Sequence, residues 1–333
     1  MKASKAFPAL LEAFFTDRLM TQRRASEHTI ASYRDTFRLL LRFIQQRFNK
    51  RPSHVALQDL GAPVICEFLN YLEEQRHNKA RSRNARLAAI RSFFHYVAFE
   101  EPAHAELIQR VLAIPGKRWH HKLVDYLSGQ EVKALLEAPD RQSPSACRYR
   151  LLLQLAVQTG LRVSELVGLK RQDVIFGQTG AHVHCHGKGR KDRCVPLAKP
   201  TAKLVTQWLQ KQNGSPDDPL LPNARGGPLS RDGAAYILRK CVAVAAQTCP
   251  SVRTKRVSPH VLRHTNAVNL LQAGVDQAVI ALWLGHESVE TTQVYLHADV
   301  EYKEKILTKV STTTAKSIRY RADDELLAFL NNL

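Results

Sequence analysis

The stretch Ser258–His297 concentrates side chains that could do chemistry. It contains His260 and Arg263 three residues apart, then His286, and Tyr295 nine residues after that. Residues three apart share one face of a helix, so the first two can act on the same group. An arginine holds an anion in a fixed geometry, a histidine exchanges protons near neutral pH, and a tyrosine can supply an oxygen nucleophile. Together these residue types suit chemistry on an anionic substrate.

Three short helices are predicted to position these groups. Ser258 is a good N-cap and Pro259 suits the first helical position, so one helix begins here and is expected to stop at Gly274. A second, apolar helix closes at Gly285, just before the second histidine of the set. Ser288 would cap a third helix, which carries the tyrosine two turns in. The spacing therefore predicts a helical frame around the whole set.

A further motif, TGLRVSEL, lies upstream at residues 159–166. Taken with HVLRHT at 260–265 and LGHESVETTQVY at 284–295, it resembles the signature of the tyrosine recombinase (phage integrase) family of site-specific DNA recombinases. That resemblance implies an active site that uses no cofactor and no metal. The catalytic residues it implies are Arg162, Lys188, His260, Arg263, His286 and the nucleophile Tyr295.

The resemblance also implies how the DNA would be cut. Arg162 and Arg263 would hold the non-bridging oxygens of the scissile phosphate, because a guanidinium meets two oxygens at once and stays charged. These cations would favour the phenolate of Tyr295, since its free pKa of about 10 makes it a poor nucleophile alone. Attack would leave a 3′-phosphotyrosyl bond and a free 5′ hydroxyl. Because bond energy is conserved, we expect no need for ATP or a divalent ion.

Other residues of the implied catalytic set would transfer the protons. Lys188, on a predicted hairpin, resembles the family's general acid for the 5′ oxygen, and Lys191 is the fallback. His260 would act as the general base near the phenol, and His286 would hydrogen-bond the scissile phosphate. Glu165 is expected to support the neighbouring arginine rather than take part in the chemistry.

Composition indicates a polyanionic partner. The 333 residues carry a formal net charge of +19, and lysine or arginine on a duplex releases condensed counterions. A ribosomal or membrane-surface protein would also be basic, so charge alone indicates the class of partner and not the function.

No apolar run approaches the roughly 20 residues that span a bilayer, and signal-peptide features are absent. Six cysteines without a CxxC pair indicate reduced thiols, so we expect a cytoplasmic, nucleoid-associated bacterial protein.

Hydrophobic periodicity divides the chain into four segments. Residues 1–110 predict a helical bundle that resembles the family's DNA-contacting core-binding domain, and residues 111–126 predict an interdomain linker. Residues 127–311 predict the catalytic domain, which includes a strand hairpin between residues 173 and 197. Residues 312–333 predict a tail helix that docks either on its own domain or on a neighbouring protomer. The expected fold class is mainly α with a small antiparallel β-sheet.

Basic residues also cluster in the bundle and the linker. Such a cluster is commonly only a solvated face. Beside the motifs, it resembles a DNA-contacting surface that mostly positions phosphates, with a minority of contacts reading bases. The residues predicted to contact DNA are Arg76, Lys79, Arg81, Arg83, Arg86, Arg91, Lys117 and Arg118.

The predicted hairpin carries three histidines on one strand. His182, His184 and His186 alternate with other residues, so their side chains point the same way and could hold a metal ion. A polar face turned to solvent or DNA is the simpler interpretation, and we predict no metal. His264 completes a His-Arg-His string and is expected to face the core or a neighbouring helix.

The predicted function is that of a site-specific recombinase that cleaves and rejoins DNA, as the integrase or transposase of a mobile element. It would act as a homotetramer on double-stranded DNA with a specific site, with related recombinases or accessory proteins as further candidate partners. Three alternatives stay open: a resolvase-type recombinase, a DNA-binding accessory partner of a related recombinase, and a type IB topoisomerase-like enzyme. The helical N-terminal segment argues against the topoisomerase. The complete catalytic set weighs against the accessory role.

Overall fold

The computed structural model describes residues 5–119, 124–140, 143, 145–178, 180–187, 192–285 and 292. The chain divides into two compact units, Met1–His121 and Lys122–Leu333. The described part is mainly helical with a small three-stranded antiparallel sheet, which confirms the predicted fold class. No helix found there is both long and apolar enough to cross a membrane.

The N-terminal unit is a bundle of helices. Its described α-helices are α1 (Phe7–Ala13), α2 (Glu27–Phe48), α3 (Ala62–Glu74), α4 (Ala80–Glu100) and α5 (Ala105–Leu112). The helical spacing of apolar residues between Phe7 and Met20 predicts one continuous first helix, but α1 passes into a π-helix at Phe14–Gln22. There the Arg23 amide donates to the carbonyl of Arg18, five residues back. This wider turn brings Phe14 and Leu19 to the same buried side.

Aromatic rings fill the core of this bundle. Phe93 of α4 lies 5.4 Å from the ring centroid of Phe14 and 5.3 Å from that of Phe37 on α2. Both pairs meet edge to face, the arrangement that the charge distribution of aromatic rings favours. The face of α4 that carries Phe93 therefore packs against α2 and the π-helix.

The C-terminal unit combines helices with the sheet. Its described elements are α6 (Gly129–Glu137), α7 (Ala146–Thr159), α8 (Val163–Gly168), β1 (Val174–Gly177), β2 (Gly180–His186), β3 (Asp192–Leu197), α9 (Lys199–Lys211), α10 (Arg231–Thr248), α11 (Pro259–Gln272) and α12 (Gln277–Leu284). The Ser258 side chain accepts from the amide of Val261 and caps α11, as predicted. Gly285 has φ +64° and ends α12, also as predicted.

The sheet is a meander in the order β1–β2–β3. Its inner face carries Val183 and Cys185 of β2 and Val195 of β3, all buried in the core of the unit. Side chains alternate across a strand, so the intervening residues of β2 and β3 lie on the other face.

The predicted domain limits stay predictions, although packing gives some detail. Val111 and Ile114, at the start of the predicted linker 111–126, belong to the core of the N-terminal unit. In the C-terminal unit, Thr265 Oγ1 accepts from the amide of Leu127 at 3.0 Å. The predicted tail 312–333 lies outside the described residues.

Candidate active site

A tight turn between α7 and α8 sets the position of Arg162. Gly160 ends α7 with φ +63°. A Cβ at this position would lie 2.6 Å from Asn266 Oδ1 and 2.6 Å from Leu284 Cδ2. Glycine is therefore required both by the backbone conformation and by the close approach of α11 and α12. Arg162 follows two residues later as the N-cap residue of α8.

Glu165, one turn into α8, binds Arg162 at two places. Its Oε2 accepts from the Arg162 backbone amide at 2.8 Å, and its Oε1 accepts from Arg162 Nη1 at 2.9 Å. The other end of the guanidinium, Nη2, donates to the carbonyl of Gly285 at 2.9 Å. Glu165 thus supports Arg162, as we expect from the sequence.

Arg193 on β3 also belongs to this cluster, although it is not among the residues that the motifs predict. Its Nη2 and Nη1 donate to the Oε2 and Oε1 of Glu165 at 2.8 and 3.2 Å, and its Nε donates to the carbonyl of Trp283 at 3.0 Å. A signal for it exists in the sequence. Arg193 alternates with Val195 and Leu197 on the inward register of the strand, where a charge needs a buried partner.

The carboxylate of Glu165 is the counter-charge for both arginines. Its side chain is only 6% exposed. Burial opposes ionisation, but the hydrogen bonds and charge of Arg193, together with the bonds from Arg162, lower the pKa of Glu165 below its ordinary value. Glu165 is therefore ionised at neutral pH and fixes the orientation of two guanidinium groups.

Arg263 reaches the same place from α11. It is 3% exposed. Its Nη1 donates to the carbonyl of Gly160 and its Nη2 to the carbonyl of Leu284, each at 2.7 Å. The side chain therefore joins the turn before α8 to the end of α12.

Three arginines thus meet the last carbonyls of α12. The pairs are Arg193 with Trp283, Arg263 with Leu284 and Arg162 with Gly285. Carbonyls at a helix C-terminus lack partners within the helix and carry partial negative charge, so cations are favourable there. The result is a concentration of positive charge immediately before residue 286.

Two histidines lie on α11 beside Arg263. His260 is exposed in the first turn, and its ring centroid is 4.3 Å from that of His264. Burial, followed by the proximity of His260 and Arg263, lowers the pKa of His264 to about 4. His264 is therefore neutral at pH 7, consistent with the expected packing role. His260 is the accessible imidazole of the pair.

The structure thus brings Arg162 and Arg263 together and places His260 on the helix that carries Arg263. The other predicted catalytic residues, Lys188, His286 and Tyr295, lie outside the described residues, as does Lys191. Their roles stay predictions.

The basic residues predicted to contact DNA in the N-terminal unit fall into two groups. Five have exposed side chains, whereas two are half-buried and one is buried. The exposed ones are Arg76, Lys79, Arg81, Lys117 and Arg118.

Arg83 and Arg91 of α4 are engaged within the protein. Arg83 is 6% exposed, its Nη1 donates to the carbonyl of Pro115 at 3.1 Å, and its Nε lies 3.8 Å from a carboxylate oxygen of Glu73. Arg91 Nη2 donates to the carbonyl of Ile114. These two side chains hold the segment after α5 against α4, and their predicted DNA contacts stay untested.

Arg86 lies between Arg83 and Arg91 in sequence and binds a different element. Its Nη1 donates to the carbonyl of Ser32 and to Thr36 Oγ1, each at 3.0 Å. It therefore joins α4 to α2. Its DNA contact also stays a prediction.

Comparisons with known proteins match both units. The family described as "Phage integrase family" matches residues 125–302, and "Phage integrase, N-terminal SAM-like domain" matches residues 13–101. A protein of Sinorhizobium fredii named as the integrase/recombinase y4rC is 55% identical over 324 residues, which cover 97% of each chain. Tyrosine recombinase XerD of Vibrio cholerae is 32% identical over 292 residues, which cover 86% of this chain and 91% of XerD.

A solved structure also resembles the chain. It is the XerH site-specific recombinase bound to palindromic difH substrate in a post-cleavage complex. The TM-score is 0.69 at 24% identity, over 87% of this chain and 81% of XerH. At that level of identity the likeness shows the fold.

Proposed function

This chain belongs to the phage integrase family of tyrosine recombinases, which are DNA strand-transferring enzymes, and on that premise we propose that it cleaves and rejoins DNA at a specific site through a 3′-phosphotyrosyl intermediate. The observation that carries the proposal is the convergence of three guanidinium groups on the end of α12. The chain segments that supply them lie far apart in sequence. A structural role alone would not need that much positive charge at one point.

The charge balance of this cluster favours a phosphate. Among the contacts of the described residues, the carboxylate of Glu165 serves Arg162 and Arg193, while carbonyls hold Arg263. The cluster is therefore rich in positive charge, which favours an anionic ligand. Each guanidinium is already held by carbonyl oxygens. It therefore needs little reorganisation when negative charge develops on the phosphoryl oxygens in the transition state. Arg162 and Arg263 would contact those oxygens, while Arg193 would act on Glu165.

The chemical step replaces one bond to phosphorus by another and transfers two protons. The phenol oxygen of Tyr295 forms a bond to phosphorus as the bond from phosphorus to the 5′ oxygen breaks. His260 accepts the phenol proton, and Lys188 donates a proton to the departing 5′ oxygen. His286 hydrogen-bonds the phosphate. Rejoining reverses these transfers when a 5′ hydroxyl of another strand attacks the phosphotyrosyl bond, so no energy source is consumed.

We further propose that the enzyme serves a mobile element, as an integrase or transposase, and acts as a homotetramer on DNA. The support for the integrase role is its 55% identity to a relative named as an integrase/recombinase, and the chain is similar in fold to a lambda integrase tetramer bound to a Holliday junction. The duplex would be contacted by exposed basic residues of the N-terminal unit such as Arg76, Lys79 and Arg81. A resolvase-type reaction uses the same chemistry and differs only in where the sites lie.

The test is a search for the covalent intermediate. Purified protein is incubated with nicked suicide duplexes tiled across the DNA that flanks its gene. Strand cleavage should trap a protein–DNA adduct that survives denaturing electrophoresis. Tyr295→Phe should abolish the adduct, the matched control Tyr302→Phe should retain it, and a metal chelator should leave it in place.

Two outcomes would overturn the proposal. An adduct that persists in Tyr295→Phe would remove the nucleophile. Specific DNA binding by the wild type with no adduct on any nicked duplex would indicate the accessory role. A mixture of the protein with a related recombinase would then be assayed, to identify the chain that becomes attached to DNA.

A further inference from the structure

A second group of chemistry-bearing side chains lies on the outer face of the sheet. Directly opposed residues of antiparallel strands point to the same side. His186 of β2 is paired with Asp192 of β3. Val174 is paired with Val183, so Asp173, one residue earlier, lies opposite His184. The register thus gathers two imidazoles and two carboxylates, which we call the hairpin cluster: Asp173, His184, His186 and Asp192.

Short distances confirm this grouping. One ligand atom from each of Asp173, His184 and His186 lies within 4.8 Å of the others. His186 Nδ1 is 2.9 Å from Asp192 Oδ1, and His184 Nε2 is 3.8 Å from Asp192 Oδ2. The two histidine ring centroids are 4.8 Å apart. The donors therefore surround one small volume at the surface.

The frame beneath these donors is well packed, while the donors themselves can be reached from solvent. The opposite face of the same strands is buried in the apolar core of the unit. The His184 and His186 side chains are 32% and 69% exposed. Asp173 already uses Oδ2 to accept from the Lys170 amide at 2.8 Å, which fixes its carboxylate and leaves Oδ1 for a ligand.

We propose that the hairpin cluster binds a zinc-like divalent cation, with Asp173, His184 and His186 as its ligands. Zinc prefers imidazole nitrogen and carboxylate oxygen at about 2.0–2.2 Å. Ligand atoms at that distance from a tetrahedral ion lie about 3.4 Å apart, and rotation of surface side chains can bring the present separations, which are within 4.8 Å, to that value. Asp192 holds Nδ1 of His186, and metal-bound histidines in proteins almost always have such an outer partner, which orients the ring.

The position of the cluster indicates what a bound ion would do. His186 and Asp192 flank residues 187–191, which contain Lys188 and Lys191 in sequence. An ion that joins Asp173 to both histidines would tie β2 to the segment before β1, close to residue 187. The ion would stabilise the hairpin and would take no part in the phosphoryl transfer. A chelator-resistant cleavage reaction is therefore compatible with it.

Metal binding can be measured without DNA. Tag-free, full-length protein is dialysed against chelator and titrated with Zn²⁺ by calorimetry, and with Co²⁺ to record the visible spectrum. We expect one ion per chain and a Co²⁺ spectrum typical of low coordination number. The paired change His184→Ala with His186→Ala should weaken binding at least about a hundredfold, and Asp192→Asn by about 10- to 100-fold.

His182→Ala is the matched control, because His182 lies on the same strand face outside the cluster. It should leave affinity unchanged. Circular dichroism should show all variants folded, since the changed side chains lie outside the core. A second measurement, hydrogen exchange of a peptide spanning residues 183–195, should slow with Zn²⁺ in the wild type and not in the paired variant.

Two results would overturn the site. One is absence of binding by the wild type at micromolar Zn²⁺, which would leave the His–Asp contacts as simple ion pairs across the hairpin. The other is equal binding by the wild type and the paired variant, which would place the ion elsewhere. Neither result bears on the recombinase proposal, because these assays use no DNA and do not involve Tyr295.

Discussion

The two units use arginine differently, although both use it to bind carbonyl oxygens. In the N-terminal unit three arginines lie along one helix, α4, and reach two segments of their own domain. The pairs are Arg83 with Pro115, Arg86 with Ser32 and Arg91 with Ile114. This pattern ties α4 to the segment after α5 and to α2.

The C-terminal unit has the opposite arrangement, because arginines from several elements reach a single helix. Arg162, Arg193 and Arg263 come from three separate elements and reach three consecutive carbonyls at the end of one helix. One carboxylate, Glu165, serves two of them. The two units therefore differ in whether their arginines converge on one point and not in how many arginines they use. Convergence marks the candidate anion site, whereas the arginines of α4 only hold segments together. Substitution of one member of each pattern tests this difference between the two units.

The largest expected effect follows from Glu165→Gln. The change leaves the guanidinium groups of Arg162 and Arg193 in place without their buried counter-charge. Breaking a buried ion pair on one side costs about 3–5 kcal/mol. We expect the free energy of unfolding of the C-terminal unit to fall by about that amount in chemical denaturation, with loss of the covalent DNA adduct.

Glu137→Gln is the control for that experiment. Glu137 is an exposed glutamate of the same unit, so its substitution should change the free energy of unfolding by less than about 0.5 kcal/mol. If Glu165→Gln proved equally mild, Glu165 would not be the charge that holds the convergent arginines.

A smaller effect is expected from Arg83→Met in the N-terminal unit. The methionine keeps much of the buried volume but leaves the Pro115 carbonyl without its donor and Glu73 with only Lys117 as its ion-pair partner among the contacts described here. Arg83 is buried and Pro115 is exposed, so the expected cost is that of the lost hydrogen bond from a charged group, about 1.5–3 kcal/mol. The unfolding transition of this unit should lose stability in that range.

Arg81→Met, two residues earlier on α4, is the matched comparison. Arg81 is exposed, so stability should change by less than about 0.5 kcal/mol. If it contacts a phosphate, the slope of log affinity against log salt for DNA should fall by about 0.9. Equal loss of stability in both variants, with no change in salt slope, would contradict the division between clamping and exposed arginines.

The smallest effect concerns pH and His264. In the unfolded chain His264 takes up a proton near its ordinary pKa of 6.5, but in the folded protein only near a pKa of about 4. Between these values the unfolded state binds more protons, so stability falls as the pH is lowered from 7 towards 4. His264→Gln should reduce this acid sensitivity. The measurement is the thermal midpoint of the C-terminal unit at pH 7 and pH 5, and an unchanged difference would contradict the role of burial.

Local features were predictable from the sequence because they depend on neighbouring residues. The Ser258 cap and the end of α12 at Gly285 form as predicted. Ser128 and Glu131 have the spacing typical of a capping box, and they form one. The sheet follows from strict alternation along β2. The change to a π-helix after Ala13 was not predicted, since it depends on how Phe14 meets rings of other helices.

The sequence by itself determined the motif spacing, the family resemblance and the helical frame, because capping, periodicity and turn chemistry act over a few residues. Only the tertiary structure decided which charges meet. It paired Arg193 with Glu165, turned Arg83 inwards to Pro115, and set Asp173 beside the histidines of β2. Such pairings depend on how distant segments pack and on which charged groups burial forces together, and the spacing of residues along one chain does not contain that information.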